Sequence, residues 1–249
     1  MENEDLEHHR NSNRKLPENL TVTIFGDWRA RFVSYKDEET NEDIKTEQHP
    51  NHNNPNKPFR DFTVTVFGNR VTTTVTRRAK VVRQWISRIR NMNRYKTDKS
   101  IVVGLGVQWR PPSSNKVATL QLCVGSRCLI FQICRSNSIP WSLREFLSNG
   151  VATFVGVRNY NDADMLFRDY KLRVKNVLEL GKLAGNRGAS MEYLASSVLG
   201  FDGVMKLEEV GRSDWGHKEL TQEQVEYACV DAYVSFQIGK KLQAWKYVC

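Results

Sequence analysis

A mixed-sheet α/β domain is the fold class this sequence predicts, on three observations. From residue 62 the chain opens with two short runs of apolar–polar alternation joined at Gly68-Asn69, the pattern of a β-hairpin. Segments with helical spacing and segments with strand character then follow one another to the end. The last helical segment begins at Thr221-x-x-Gln224, a capping box that fixes where it starts. With 249 residues and 40% hydrophobic content, one substantial core accounts for the length.

The elements read in order as follows. Residues 62 to 67 and 71 to 76 form the hairpin, and a helix from about 79 to 92 places Val81, Val82, Trp85, Ile86 and Ile89 on one face. Strands near 101 to 108, 117 to 124 and 128 to 133 are punctuated by Pro111-Pro112 and by the Gly125 turn. A helix near 140 to 148 leads to the strand Ala152 to Val157, a helix near 161 to 170 and a short strand around 176 to 180. A helix from about Met191 to Leu199 is closed by Gly200, and the last helix runs to about 245. Hairpin strands extended by helix-linked strands make a mixed sheet.

Composition narrows the setting. No stretch of about 18 apolar residues is present and the first residues are acidic and polar, so the expectation is a soluble, non-secreted protein of the nucleus or cytoplasm, without a membrane partner. Five cysteines, at 123, 128, 134, 229 and 249, lack a C-x-x-C pair and a nearby His, which predicts buried reduced thiols. The net charge of +9 is unevenly divided: residues 1 to 60 carry 12 acidic and 9 basic side chains (−3), residues 61 to 249 carry 16 and 28 (+12). A basic domain favours a polyanionic partner.

The first 61 residues form a separate region. Residues 1 to 18 and 37 to 57 are too polar to build a core and read as disordered. Between them, Leu20-Thr-Val-Thr-Ile-Phe-Gly-Asp27 nearly repeats Phe62-Thr-Val-Thr-Val-Phe-Gly-Asn69. Two readings stand: a duplicated strand with no function of its own, or an extra strand or peptide that pairs with a sheet edge.

Chemistry enters near the end of the chain. Tyr227 and Asp231 are spaced i and i+4, on one face of the last helix, a spacing that by itself also describes a structural pair at the rim of a core. Around them stand Gly188-Ala-Ser-Met-Glu-Tyr-Leu-Ala195, Val198-Leu-Gly200, Ser213-Asp-Trp215 and Leu220-Thr-Gln-Glu-Gln-Val-Glu-Tyr-Ala228. Phe154-Val-Gly-Val157 precedes Asn161-Asp162, and Ile101-Val-Val-Gly-Leu-Gly-Val-Gln-Trp-Arg-Pro111 lies upstream. Together these resemble the Werner-syndrome-like 3′-5′ exonucleases, especially those of plants, over about residues 62 to 245.

That resemblance implies an RNase H-like α/β fold, a mixed five- to six-stranded sheet flanked by helices, and the DEDDy chemistry in which four carboxylates hold two Mg²⁺ or Mn²⁺ ions. Two ions about 3.5–4 Å apart activate a water and stabilise the leaving oxygen, and clustered carboxylates offset their mutual repulsion. By position, Asp162 and Asp231 are the implied metal ligands and Tyr227 the group that orients the water. The first motif departs from the family pattern: Gly106 and Gln108 stand where an Asp and a Glu belong. The formal charge of the site falls from −4 to −2, and Gln108 offers only a neutral carbonyl oxygen. Glu179 and Asp202 are distant candidates to replace the lost acids, without positional support.

The remaining features concern binding. Arg77 to Lys96 holds eight basic residues, including Arg88, Arg90 and Arg94, and no acidic one; it reads as a solvated face, a phosphate-tracking surface or a nuclear import signal. Trp109 and Arg110 follow the degenerate motif and could meet a terminal nucleotide, or Trp109 could be core. Asp162 also reads as a helix N-cap, Asp164 as a solvated charge and His217 as a surface residue. The leading expectation is a domain that binds single-stranded or 3′-recessed nucleic acid with catalysis abolished or severely weakened. An active metal-dependent 3′-5′ exonuclease and a protein-interaction module on the same fold are the alternatives.

Overall fold

Alternating β-branched and polar residues build one sheet of seven strands in the computed structural model, which describes residues 59–93, 101–110, 116–203 and 208–248, together with the strand pieces at 22–23 and 31–32. The strands are β1 (Val22–Thr23), β2 (Arg31–Phe32), β3 (Arg60–Val66), β4 (Asn69–Thr76), β5 (Ile101–Trp109), β6 (Val117–Val124), β7 (Arg127–Phe131), β8 (Ala152–Gly156) and β9 (Val177–Glu179). The main sheet runs β3-β4-β7-β6-β5-β8-β9, and β1 with β2 forms a separate pair. Its strands exceed the expected five to six because the short β9 joins one edge and the β3–β4 hairpin joins the other. That hairpin is attached by parallel pairing of β4 with β7.

Helices cover both faces. They are α1 (Ala79–Met92), α2 (Trp141–Ser148), α3 (Asn159–Tyr170), α4 (Leu180–Leu183), α5 (Met191–Leu194), α6 (Glu208–Gly211) and α7 (Gln222–Lys241). α7 lies across one face, in contact with strands from β3 to β8. Phe146 of α2 meets Phe154 edge-on at 5.8 Å, on the face opposite to α7, and α1 packs beside α2 through the expected row Val81, Val82, Trp85, Ile86 and Ile89. α3 is tied to β6 by Asp169, whose carboxylate accepts from the Val117 amide at 2.8 Å, and by Tyr170, whose hydroxyl donates to the Val117 carbonyl at 2.6 Å.

Most element boundaries follow the sequence reading, and the departures have local causes. β7 stops at Phe131 because residues 133–135 turn into a 3₁₀ helix. α7 ends at Lys241, not 245, because Gln243 takes a left-handed conformation (φ 54°) before a second 3₁₀ turn at Ala244–Tyr247. The capping box at its start is complete, with Thr221 accepting from the Gln224 amide and Gln224 accepting from the Thr221 amide. α5 continues into a π-helical turn that Gly200 closes with φ 69°. Cys123, Cys128 and Cys229 are buried free thiols, and Cys134 is half-buried. The disorder expected for residues 1–18 and 37–57, Arg94 and Cys249 all lie outside the described residues.

Candidate active site

Glycine brings the last helix down onto the central strand. A Cβ on Gly104 would collide with the Ala232 carbonyl oxygen and lie 2.8 Å from the Phe236 amide nitrogen, so the α7 backbone rests on β5 at that residue. Asp231, the residue just before Ala232 on α7, faces Gly106. A Cβ there would lie 3.4 Å from Asp231 Oδ2 and 3.2 Å from Gln121 Oε1. Two residues that are 125 positions apart therefore share one spot, which is where the resemblance places a motif I and a motif III group.

Of the two side chains within 4 Å of that position, Asp231 is charged and Gln121 neutral. Gln121 lies opposite Gly106 on β6, its Nε2 donating to Thr119 Oγ1 at 2.7 Å while its buried Oε1 has no hydrogen-bond partner. Gln108 is buried at 6% exposure and pairs in register with Thr119. The ladder then slips between Gln108 and Trp109, a bulge that turns Trp109 outward. At 38% exposure Trp109 is not a core residue, and its ring is available for stacking. Arg110 is oriented differently: its stem lies over Gly216, where a Cβ would fall 2.7 Å from Arg110 Cδ.

Tyr227 is one turn before Asp231 on α7 and nearly buried. Its ring packs against Trp215 at 5.8 Å, and its hydroxyl sits against Gly211, where a Cβ would lie 2.9 Å away. The segment that makes this pocket is pinned to α7 by Gln224 Nε2, which donates to Ser213 Oγ at 2.8 Å and to the Asp214 carbonyl at 3.2 Å. Trp215 Nε1 closes the segment on itself by donating to the Gly211 carbonyl at 3.2 Å. Sequence reading found Tyr227 and Ser213-Asp-Trp215 but not α6 or the contact at Gly211.

Asp162 occupies the first turn of α3, half-exposed, just beyond the C-terminal end of β8. β8 runs parallel to β5, so the start of α3 and the Gly106–Gln108 end of β5 lie at the same end of the sheet. Arg158 caps α3 in a left-handed conformation (φ 61°), so Asp162 is a first-turn residue and not the N-cap. Beside it opens a cleft of about 500 Å³ lined by Arg158, Tyr160, Asn161, Glu179, Arg187 and Glu192 among others. Glu179 accepts from the Asn159 amide at 2.8 Å, and Glu192 accepts from Ser190 Oγ at 3.3 Å. Asp202 is exposed and accepts from Ser196 Oγ. Neither distant candidate carboxylate is thus directed at Gly106. Asp164 and His217 are exposed, as expected.

The donors that remain do not fit a pair of divalent ions. Among the described residues no three His, Cys, Asp or Glu side chains come together closely enough to hold a metal.

The basic helix divides in two. Lys80, Arg83 and Arg88 are exposed and line one shallow groove. Arg90 turns away from it, to Glu145 at 3.2 Å and over the Phe146 ring at 5.9 Å. This tertiary contact draws Arg90 away from the groove that Lys80, Arg83 and Arg88 line.

Comparison with known proteins gives the family. A plant 3′-5′ exonuclease from Arabidopsis thaliana is 29% identical over 195 residues, 74% of this chain and 67% of its own length. The Mus musculus bifunctional 3′-5′ exonuclease/ATP-dependent helicase WRN is 31% identical over 151 residues, 57% of this chain but only 11% of that protein. Among solved structures, Escherichia coli RNase D superposes with a TM-score of 0.55 at 18% identity, covering 68% of this chain and 44% of RNase D, a likeness of fold. The 3′-5′ exonuclease domain family matches residues 80–245, and the chain belongs to that family.

Proposed function

We propose that the domain binds single-stranded or 3′-recessed nucleic acid at the Gly106–Asp231 end of the sheet and hydrolyses it at a rate near background. The observation that carries this reading is the hydrogen at Gly106 facing Asp231, where the family's mechanism calls for a carboxylate that bridges two ions. Asp162 and Asp231 would be the ligands left for Mg²⁺ or Mn²⁺, and their two negative charges face a pair carrying four positive ones. Disturbing a single outer partner of a metal site typically costs about 10–100-fold in affinity or activity, and losing two direct ligands costs more. Binding survives that loss because it draws on different groups.

The cleft beside Asp162 supplies those groups. Arg158 and Arg187 provide charge for backbone phosphates, and Tyr160, 47% exposed, provides a ring for stacking. The exposed Lys80, Arg83 and Arg88 extend the positive surface on α1. Arg110, laid along Gly216, and Arg90, held by Glu145, contribute less.

The test pairs a binding assay with a trimming assay on a labelled single strand. The protein should hold the strand at low salt and release it steeply as salt rises. Changing Arg158 and Arg187 together to Gln should lower the slope of log affinity against log salt by about 1.4, roughly 0.7 for each lost phosphate contact. Trimming in Mg²⁺ or Mn²⁺ should stay at background. Robust trimming that Asp231→Asn removes would overturn the loss of catalysis, and an affinity indifferent to salt would overturn nucleic-acid binding.

A further inference from the structure

Helix α3 carries an exposed face away from the candidate site. It starts just beyond the C-terminal end of β8, and the chain after it returns to that strand's start, where Asn176 Nδ2 donates to the Gly150 carbonyl at 2.9 Å. Its 12 residues, at about 1.5 Å each, span about 18 Å. Tyr160, Asp164, Phe167 and Lys171 fall at i, i+4, i+7 and i+11, so they share one face, and all four are exposed. The two rings, 47% and 42% exposed, stand two turns apart, about 10 Å along the axis.

The far end of that face is basic and firmly held. The run Lys171-Leu-Arg-Val-Lys175 buries Leu172 and exposes its three cations. Lys171 Nζ lies 5.4 Å, and the Arg173 guanidinium carbon 5.2 Å, from the centre of the Phe167 ring. Beside the ring, Arg173 and Lys175 line a second cleft of about 510 Å³, with Asp164 as the carboxylate among the described residues that line it. Arg144 Nη1 of α2 donates to the Tyr170 and Lys171 carbonyls at 3.3 and 3.2 Å, and the Lys175 amide donates to the Leu147 carbonyl at 2.8 Å, so α2 holds the backbone that carries the cations. An exposed ring flanked by cations suits a single strand, with stacking for a base and charge for its phosphates.

We infer that a nucleic-acid strand held at the Gly106–Asp231 end continues along the exposed face of α3 and is gripped at the far end by Phe167, Lys171, Arg173 and Lys175. At about 3.4 Å per stacked nucleotide, the length of α3 corresponds to about five nucleotides. The upstream part of the same strand is the occupant because the far end offers three cations against one carboxylate, and because its ring shares a face with Tyr160 in the first cleft. The inference rests on the nucleic-acid reading above and extends it: the cleft beside Asp162 takes the 3′ end, and the far cleft sets how long a strand must be to bind fully.

Binding of the whole chain to two labelled oligothymidylates tests it, one of about two nucleotides and one of about twelve, shorter and longer than the face. For the long strand, Phe167→Ala should weaken binding at least about fivefold, the loss of one stacked base. Lys171→Gln, Arg173→Gln and Lys175→Gln together should lower its slope of log affinity against log salt by about 2, roughly 0.7 for each phosphate contact. The short strand cannot span the face, so neither variant should change its binding. All four side chains are exposed, so thermal midpoints should match the parent's; if alanine lowers the midpoint, Phe167→Leu keeps the packing and removes the stacking ring. A long strand bound by both variants as by the parent, while Arg158→Gln with Arg187→Gln still weakens it, would overturn the track and leave the nucleic-acid reading standing. A parent protein that holds neither strand overturns both. Equal weakening of the two strands would make the far cleft a separate site. A long strand insensitive to Phe167→Ala and displaced by a glutamate peptide of equal charge would assign the cations to an acidic peptide. Either of these last two results also overturns the inference.

Discussion

Gly104 and Gly106 lie two residues apart on the face of β5 that α7 covers, and the space above them differs. At Gly104 the helix backbone fills the position of a side chain, so no other residue fits without lifting α7. At Gly106 the nearest atoms are the ends of two side chains, at ordinary or slightly tight distance, and φ is not in the left-handed region. The first glycine is required by packing. The second is tolerated by it, and the difference separates the scaffold of the candidate site from its chemistry.

The largest effect should come from breaking the scaffold. Gly104→Ala drives a methyl group into the Ala232 carbonyl and should cost about 3 kcal/mol, the upper end of the usual overpacking range, read as a lowered unfolding midpoint. An alanine variant as stable as the parent would mean that α7 can ride up, and the contrast with Gly106 would disappear. Next comes the double change Gly106→Asp and Gln108→Glu. The added Cβ at Gly106 asks the Gln121 amide to give by a few tenths of an ångström, and the double variant should gain metal-dependent 3′-5′ trimming. Its carboxylates repel Asp231 until cations bind, so its thermal midpoint should rise with Mg²⁺ while the parent's does not. Stabilisation is about 1.4 kcal/mol when Mg²⁺ stands at tenfold its Kd. A folded double variant with no Mg²⁺ response would show that the surroundings of the site have drifted as well.

Smaller effects sharpen the same division. Arg90→Gln should lower stability by about 0.5 kcal/mol, the scale of a partly exposed ion pair, and leave the salt dependence of binding unchanged. Arg88→Gln should do the reverse, reducing the salt slope by about 0.7 with stability unaffected. Gly106→Ala should change stability by no more than about 0.5 kcal/mol, because the conformational gain of losing a strand glycine offsets the tight approach to Gln121. A large loss would make Gly106 a packing glycine like its neighbour.

Legibility in the sequence follows the range of the interaction involved. The α1 boundaries, the α7 cap and the β6–β7 turn were readable because periodicity, capping and turn chemistry are local. The parallel joining of β4 to β7 was not, since it depends on a pairing across α1 and two other strands that no local pattern encodes. The same holds for the residues of the site. Spacing gave Tyr227 and Asp231 a common face, but only family resemblance connected them to Gly106, and only the packed helix shows why Gly104 is beside it. Arg90 read as one basic residue among eight until Glu145 and Phe146, on another helix, drew it away.

The position of α7 has a consequence for how the protein is made. Residues that meet at Gly106 come from β5, from β6 and from the last long helix described, so nothing in the first half of the chain can complete that face by itself. During synthesis β5, β6 and β7 emerge with their apolar side uncovered, and stay so until residues 222–241 have left the ribosome. A ribosome stalled before Gln222 would therefore hold a nascent chain with a sticky, unroofed sheet, a natural client for chaperones.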